Sequence, residues 1–282
     1  MTQQPGPGDR SRSRQYARGA ATARAGADVG ARVLHAAQRA AVLVIRNGGA
    51  TPVAERVFHN ILRAHGQEAV ETVWRLDFIA ASGGRSGEGA FLRGVGALTV
   101  NLALVGEVEA LAEHVMAERI GIDELDARLH RLEALPSPYP RSAMVAAAGS
   151  AAGFLAHLLG GDEGAVAVAF VAAALGQGAR LFLQRRGLSA IALVFVSATL
   201  SALLAGAGIR LGLAGDTFAT MVASVVYLVP GLLLINGFID LLSQRHLAIG
   251  LERMAKSFVL FLVIAIGIAL ADALVLYGRG PW

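Results

Sequence analysis

YLVPGLLLINGFIDLL, residues 227 to 242, is the stretch on which the reading of this chain turns. It is apolar enough to enter a bilayer, yet it holds a proline in its middle and two polar side chains beyond it. Pro230 has no amide hydrogen and collides with the carbonyl four residues earlier. A helix through it is therefore expected to kink and to expose the Val226 carbonyl near mid-membrane. Gly231 follows directly and adds no side chain to the bend. Asn236 and Asp240 are four apart and share one helix face. A carboxylate inside a bilayer costs about 2.5 kcal/mol or more, a cost tolerated where it faces a pathway or a partner. Two readings stay open for Asp240: it lines a solute path with Asn236, or it sits in the interface, pairs with Arg245 or Arg253, and anchors the helix.

Working outward, this stretch is the fourth of five apolar segments, at about 142–160, 164–183, 188–209, 216–241 and 255–277. Each is close to the ~20 residues that cross a ~30 Å hydrocarbon core. The first two are alanine-rich, which suits helices packed inside a bundle. The loops alternate in charge: Gly160 to Gly164 is acidic, Arg180 with Arg185 and Arg186 is basic, Arg210 to Asp216 is balanced, and Arg245 to Lys256 is basic again. The positive-inside rule then predicts a multi-pass protein of the cell (inner) membrane, with its N-terminus cytoplasmic and its C-terminus outside. Composition agrees: 55% of the 282 residues are hydrophobic and the mean hydropathy is +0.55, too apolar for an ordinary soluble enzyme. The net charge of +4 is spread over the tail and loops, so no nucleic-acid partner is expected. The absence of cysteine excludes disulfides, thiol catalysis and Cys-ligated metals.

Upstream the pattern changes. Residues 1–30 are rich in Gly, Ala, Ser and Arg, lack a signal-peptide core and read as a disordered cytoplasmic tail. From Arg32, apolar residues at spacings of three and four predict a helix ending at Asn47-Gly48-Gly49. Thr51 then reads as the N-cap of a second helix, with Pro52 in its first turn, running to about His65. Segments 70–82 and 89–104 read as a strand pair around the glycine-rich turn GGRSGEG, and 107–117 and 122–135 as two closing helices. The prolines from Pro136 to Pro140 mark the boundary. The expected fold is thus a membrane α-helical bundle of five transmembrane helices (141–282) preceded by a soluble α+β cytoplasmic domain (31–136).

Further polar residues fall inside the predicted spans. Asp272 lies near the outer end of the fifth, where its protonation could couple export to proton entry or where it could simply meet water at the interface. Gln177 and Arg180 in the second, with Ser197, Thr199 and Ser201 in the third, could hydrogen-bond a small polar solute or a neighbouring helix. Gly149 and Gly153 form a GxxxG that permits close helix contact, and His157 is an interfacial residue with the pKa range of a proton relay. Enzyme motifs fail in turn: there is no GxxxxGK[ST], no HExxH among seven histidines, no GxSxG, and Gly94 and Gly96 lack the third glycine of a dinucleotide fingerprint. No enzymatic activity, catalytic residue, metal or cofactor is expected.

Leu228-Val229-Pro230-Gly231, Asn236, Asp240-Leu241-Leu242 and Gly250-Leu251-Glu252-Arg253 resemble, in order and spacing, the pattern of the threonine/serine exporter (ThrE-like) family, in its N-terminal half. Weaker likeness runs through Asn47-Gly48, Glu55, Ser82, Asn101-Leu102 and the Pro-Tyr-Pro boundary, covering about residues 33 to 277. One position departs: a glutamate commonly follows the Gly-Ala pair of this family, where this chain has Thr51. The resemblance implies a soluble domain followed by five spans, export of threonine and serine or, in two-component members, of organic acids such as succinate, and a second, smaller membrane subunit. Since the chain ends at Trp282, a separate partner is expected. The resulting expectation is secondary export of a small hydrophilic amino acid, with Pro230, Gly231, Asn236, Asp240, Asp272 and Gln177 along the substrate or ion pathway. A dicarboxylate exporter and a non-transporting membrane sensor or scaffold stand as alternatives, and a homo-oligomer stays open beside the smaller subunit and the lipid bilayer as partners.

Overall fold

The structure, a computed structural model, describes residues 29–67, 70–83, 90–136 and 139–275. The predicted tail, most of the GGRSGEG turn, part of the proline boundary and the last seven residues lie outside the described residues. The chain divides into two compact units, Met1–Pro136 with Asn236–Glu252, and Ser137–Ile235 with Arg253–Trp282.

The first unit is built on helix α1 (29–46), buried nearly all round: Val33, Ala37, Ala40, Ala41 and Val44 are all 1% exposed or less. A helix with no solvent face is the centre of a core. It ends in a Schellman arrangement, with Gly49 N donating to the Val44 carbonyl (2.8 Å) and Gly48 N to that of Ile45 (3.3 Å). Gly48 supplies the positive φ of 92°, and a Cβ on Gly49 would lie 2.4 Å from Val44 Cγ1, so the predicted stop depends on both glycines. Helix α2 (Thr51–Ala64) follows. Its N-cap is Ala50, which makes no side-chain bond, and Pro52 sits in the first turn. Thr51, expected as the cap, is the first helical residue, and its hydroxyl is engaged elsewhere.

The β segment differs from expectation in a definable way. Residues 70–82 are two strands, β1 (Val70–Trp74) and β2 (Phe78–Gly83), because Arg75, Leu76 and Asp77 turn the chain and Arg75 N donates to the Phe78 carbonyl at 3.0 Å. Strand β3 (Ala90–Gly94) completes an antiparallel sheet in the order β1-β2-β3, with Trp74 opposite Ile79 and Ile79 opposite Arg93. The segment expected as strand to Leu104 leaves the sheet after Gly94. Asn101 caps α3 (Leu102–Glu118) by accepting from Leu104 N at 3.1 Å, so a cap outweighs the β-branched residues before it. Helix α4 (Ile122–Ala134) closes the unit.

Arg39 of α1 grips Glu133 of α4 through two bonds, Nε to Oε1 at 2.6 Å and Nη2 to Oε2 at 2.5 Å. This bidentate contact holds the Glu133 carboxyl below its ordinary value of 4.5. A carboxyl whose folded pKa is depressed stabilises the fold above its unfolded pKa and loses that contribution as pH falls through the folded one. Thermal unfolding of the full chain in detergent is therefore expected to show a shallower loss of stability below about pH 4.5 in Glu133→Gln than in the wild type.

The second unit contains α5 (Arg141–Leu158), α6 (Glu163–Gln184), α7 (Ala190–Arg210), α8 (Thr217–Ser224), a 3-10 turn (Val226–Leu228), the start of α9 (Gly231–Leu242) and most of α10 (Leu247–Val275). Side chains mark the helix starts: Asp162, Ser189 and Asp216 accept from Ala165 N, Ala192 N and Ala219 N. Among the described residues, α6, α7 and α10 are long and apolar enough to cross a membrane, and α8 with its 3-10 turn plus α9 makes a fourth if that bent pair is one span. Helix α5, 18 residues rich in alanine and glycine, is not among them. Its small residues serve close packing instead: a Cβ on Gly149 would lie 3.0 Å from the Phe170 carbonyl oxygen of α6. At Pro230 the chain breaks rather than kinks, turning by 68°. The Val226 carbonyl, expected to be freed, accepts from Val229 N at 3.1 Å.

Candidate functional site

The predicted pathway residues fall into separate groups. Asn236, midway along α9, and Asp240, near its C-terminal end, are buried with Gly237, whereas Phe238 and Leu242 on the same helix are 55% and 81% exposed. A helix that hides its polar face and shows its apolar one is built for an apolar medium. Asn236 Nδ2 donates to the Gly48 carbonyl at 2.8 Å, and the Thr51 hydroxyl donates to Asp240 Oδ2 at 2.9 Å. The glycine stop of α1 and the first residue of α2 thus present the acceptor and donor that receive the shared face of α9. Asp240 is fully buried and accepts the hydroxyl of Thr51, itself fully buried.

The turn after α9 continues the same contact. Gln244 takes a positive φ of 55°, and His246, 5% exposed, sets its Nε2 3.1 Å from Glu55 Oε2. Arg245 reaches the other Glu55 oxygen at 3.5 Å, and the His246 ring meets Trp74 edge to face at 6.2 Å. Burial and the nearby Arg63 and Arg245 cations hold the His59 imidazole below its usual value, against the pull of Glu55. On α10, Glu252 Oε2 accepts from Leu76 N at 2.7 Å while its other oxygen pairs with Arg75. Ile249 is buried in the unit's core, and Gly250 lets Leu241 approach. Residues 236 to 252 therefore form a helix-turn-helix clasp on the N-terminal unit, fastened by one amide and three carboxylates.

Gln177 belongs to the second unit. Its side chain is 6% exposed and its Oε1 has no hydrogen-bond partner among the described residues. One turn along α6 is Arg180, half-buried. The Tyr227 hydroxyl lies 3.0 Å from Ser201 Oγ, which donates to the Ala172 carbonyl at 3.2 Å. Gly176 makes this closeness feasible, since a Cβ there would lie 1.9 Å from Ser201 Oγ and 2.4 Å from the Tyr227 oxygen. Thr199 plays a local part only, donating to the Phe195 carbonyl at 2.9 Å. Asp272 is half-buried on α10 and makes no hydrogen bond or ion pair with another described residue. His157 lines a cavity of about 430 Å³ with Asp162 and Glu163, where Asp162 is committed to Ala165 N and Gly215 N.

Thr51, Glu55, His246 and Tyr227 were not singled out from sequence as site residues. Tyr227 stands three residues before Pro230 in an apolar run, and Glu55 is among the residues that carry the family likeness, so both had a signal that could have been read.

The profile of the ThrE family, described as "Putative threonine/serine exporter", matches residues 35–275. The chain belongs to the ThrE family. The match takes in both the N-terminal unit with its clasp and the apolar helices, and ThrE is a family of transporters rather than enzymes. A Klebsiella aerogenes protein named "Probable succinate transporter subunit YjjP" is 29% identical over 245 residues, covering 86% of this chain and 93% of that one. An Escherichia coli K12 protein of the same name is 30% identical over 188 residues, covering 65% of this chain and 70% of that one. No solved structure matches the chain.

Proposed function

We propose that this chain is one subunit of a secondary transporter that exports a small dicarboxylate of the succinate type, acting with a smaller membrane subunit of the same family. The observation that carries the reading is the ThrE match over residues 35–275, which takes in the N-terminal unit, its 236–252 segment and the apolar helices. The names of the two relatives favour succinate as the solute and a partner subunit as a requirement. In this reading α5 is a fifth span that packs one small-residue face, Gly149 with Ala152, Gly153 and Ala156, against its neighbours. The N-terminal unit then lies on the cytoplasmic side of the cell membrane, with the basic segment 245–256, and the C-terminus lies outside. Pro230 and Gly231 break the fourth span, Gln177 and Asp272 lie along the path, and Asn236 with Asp240 ties its movement to the N-terminal unit. An ion gradient, of protons, drives export.

The family's own description supports a second reading in which the solute is threonine or serine. Efflux of labelled succinate, threonine and serine from cells expressing this chain with its partner separates the two. Succinate is expected to leave faster than either amino acid; amino-acid efflux alone would move the assignment to the second reading. No efflux of any solute despite confirmed assembly would point to a sensor or scaffold and sink the transporter reading.

A further inference from the structure

Among the described residues Arg180 is a cation without a counter-ion. It lies on α6, one of the helices long and apolar enough to cross a membrane, and no carboxylate of a described residue comes within ion-pair distance of it. None could come from the same stretches: residues 164–184, 190–210 and 217–228 contain no aspartate or glutamate. An unpaired guanidinium among apolar helices is retained where something anionic visits it.

The surroundings are those of a receptor for such a visitor. Gly176, Gln177 and Arg180 follow one another at spacings that put Gly176 and Arg180 on one face of α6, with Gln177 beside them. That face meets Ser201 and Tyr227 through the gap left by Gly176. Ser197 and Ser201, four apart, share a face of α7, and the Tyr227 oxygen lies 3.5 Å from the Ser197 carbonyl. Two buried polar atoms here lack partners among the described residues, Gln177 Oε1 and Ser197 Oγ, although Ser197 is fully buried. A helical serine ordinarily returns its hydroxyl to the carbonyl four residues back, as Thr199 does here. Unspent hydrogen-bonding capacity beside an unpaired guanidinium calls for a ligand with oxygen acceptors.

From this juxtaposition we infer that Arg180, Gln177, Ser197 and Tyr227 form the binding centre for a carboxylate group of the transported solute, a site that rests on the transporter reading above. Arg180 provides the charge and a forked pair of donors. Ser197 and Tyr227 offer hydroxyls, and rotation of the Gln177 amide presents either its oxygen or its nitrogen. The centre has no carboxylate to receive an ammonium group, so it selects simple carboxylate anions over zwitterionic amino acids.

The chain contains no cysteine, so Ser197→Cys introduces a unique thiol on this subunit. With the complete two-subunit transporter in membranes, succinate is expected to slow labelling of that thiol by a small maleimide at least about fivefold, and threonine to leave the rate unchanged. In the same transporter Arg180→Lys is expected to raise the KM for succinate about tenfold with a smaller change in maximal rate, since an ammonium keeps the charge but loses the fork. Arg180→Gln should abolish both protection and transport. Labelling that succinate does not affect, or a wild-type KM in Arg180→Gln, would overturn the site even if the wild-type pair exports succinate. Protection by succinate in a pair that exports nothing would instead leave the site standing and remove the transporter reading.

Discussion

Asp240→Asn is expected to cut export at least tenfold while the chain still inserts in the membrane and assembles. Asparagine keeps the shape of the side chain and an oxygen able to accept from the Thr51 hydroxyl, so the contact at 2.9 Å can survive. The negative charge cannot. Asp240 is fully buried at the polar face of α9, in the clasp that fastens 236–252 to the N-terminal unit. Exchanging its charge alters the electrostatics of that clasp with little change in packing. Thr51→Val provides the complementary case: it removes a hydroxyl donor to a buried carboxylate and should destabilise the unit by about 1–3 kcal/mol. Quantitative export assays paired with a membrane-fraction blot separate the two effects. Wild-type export by Asp240→Asn would show that its charge has no part in transport and that the residue only anchors.

Gly176→Ala is expected to disrupt the packing of α6 against α7 and the segment that carries Tyr227. The added carbon would sit 1.9 Å from Ser201 Oγ and 2.4 Å from the Tyr227 oxygen, inside contact distance of two side chains already bonded to each other. Overpacking of this kind costs about 1–3 kcal/mol and forces helices apart. Gly178, two residues along the same helix, is the control: the nearest atom to its added carbon is Val145 Cγ2 at 4.0 Å. There alanine fits and gains up to about 1 kcal/mol of helix propensity. Thermal stability in detergent should therefore fall for Gly176→Ala and hold or rise for Gly178→Ala. Equal behaviour of the two would mean that α6 does not approach Ser201 and Tyr227 as described.

The features that could be read directly from sequence were local ones. The periodicity of 33–45, the double glycine after it, the proline in the first turn of α2 and the hairpin around 84–89 all report short-range geometry, and the structure reproduces the helix, its stop and the β2–β3 pairing. Thr51 misled because its sequence neighbourhood is that of a cap, whereas its partner, Asp240, is 189 positions away. The same distance hid the clasp. Asn236 and Asp240 were legible as one polar face in an apolar helix, but nothing local says that Gly48 and Thr51 receive it. The alanine-rich α5 showed the opposite limit: its segment has the length of a span, while its composition favours helix packing over contact with lipid. The cluster at Gln177 was half visible, since Gln177, Arg180 and the α7 serines stand out as polar residues in apolar helices. The part of Gly176 and Tyr227 emerges only once three elements are brought together.

Proteoliposomes loaded with labelled succinate and containing this chain, its smaller partner, or both, test the account most directly. The account requires succinate efflux when both subunits are present, and none above the protein-free background from either alone. Equal efflux from the partner alone, or no efflux from a correctly assembled pair under an imposed proton gradient, would contradict it.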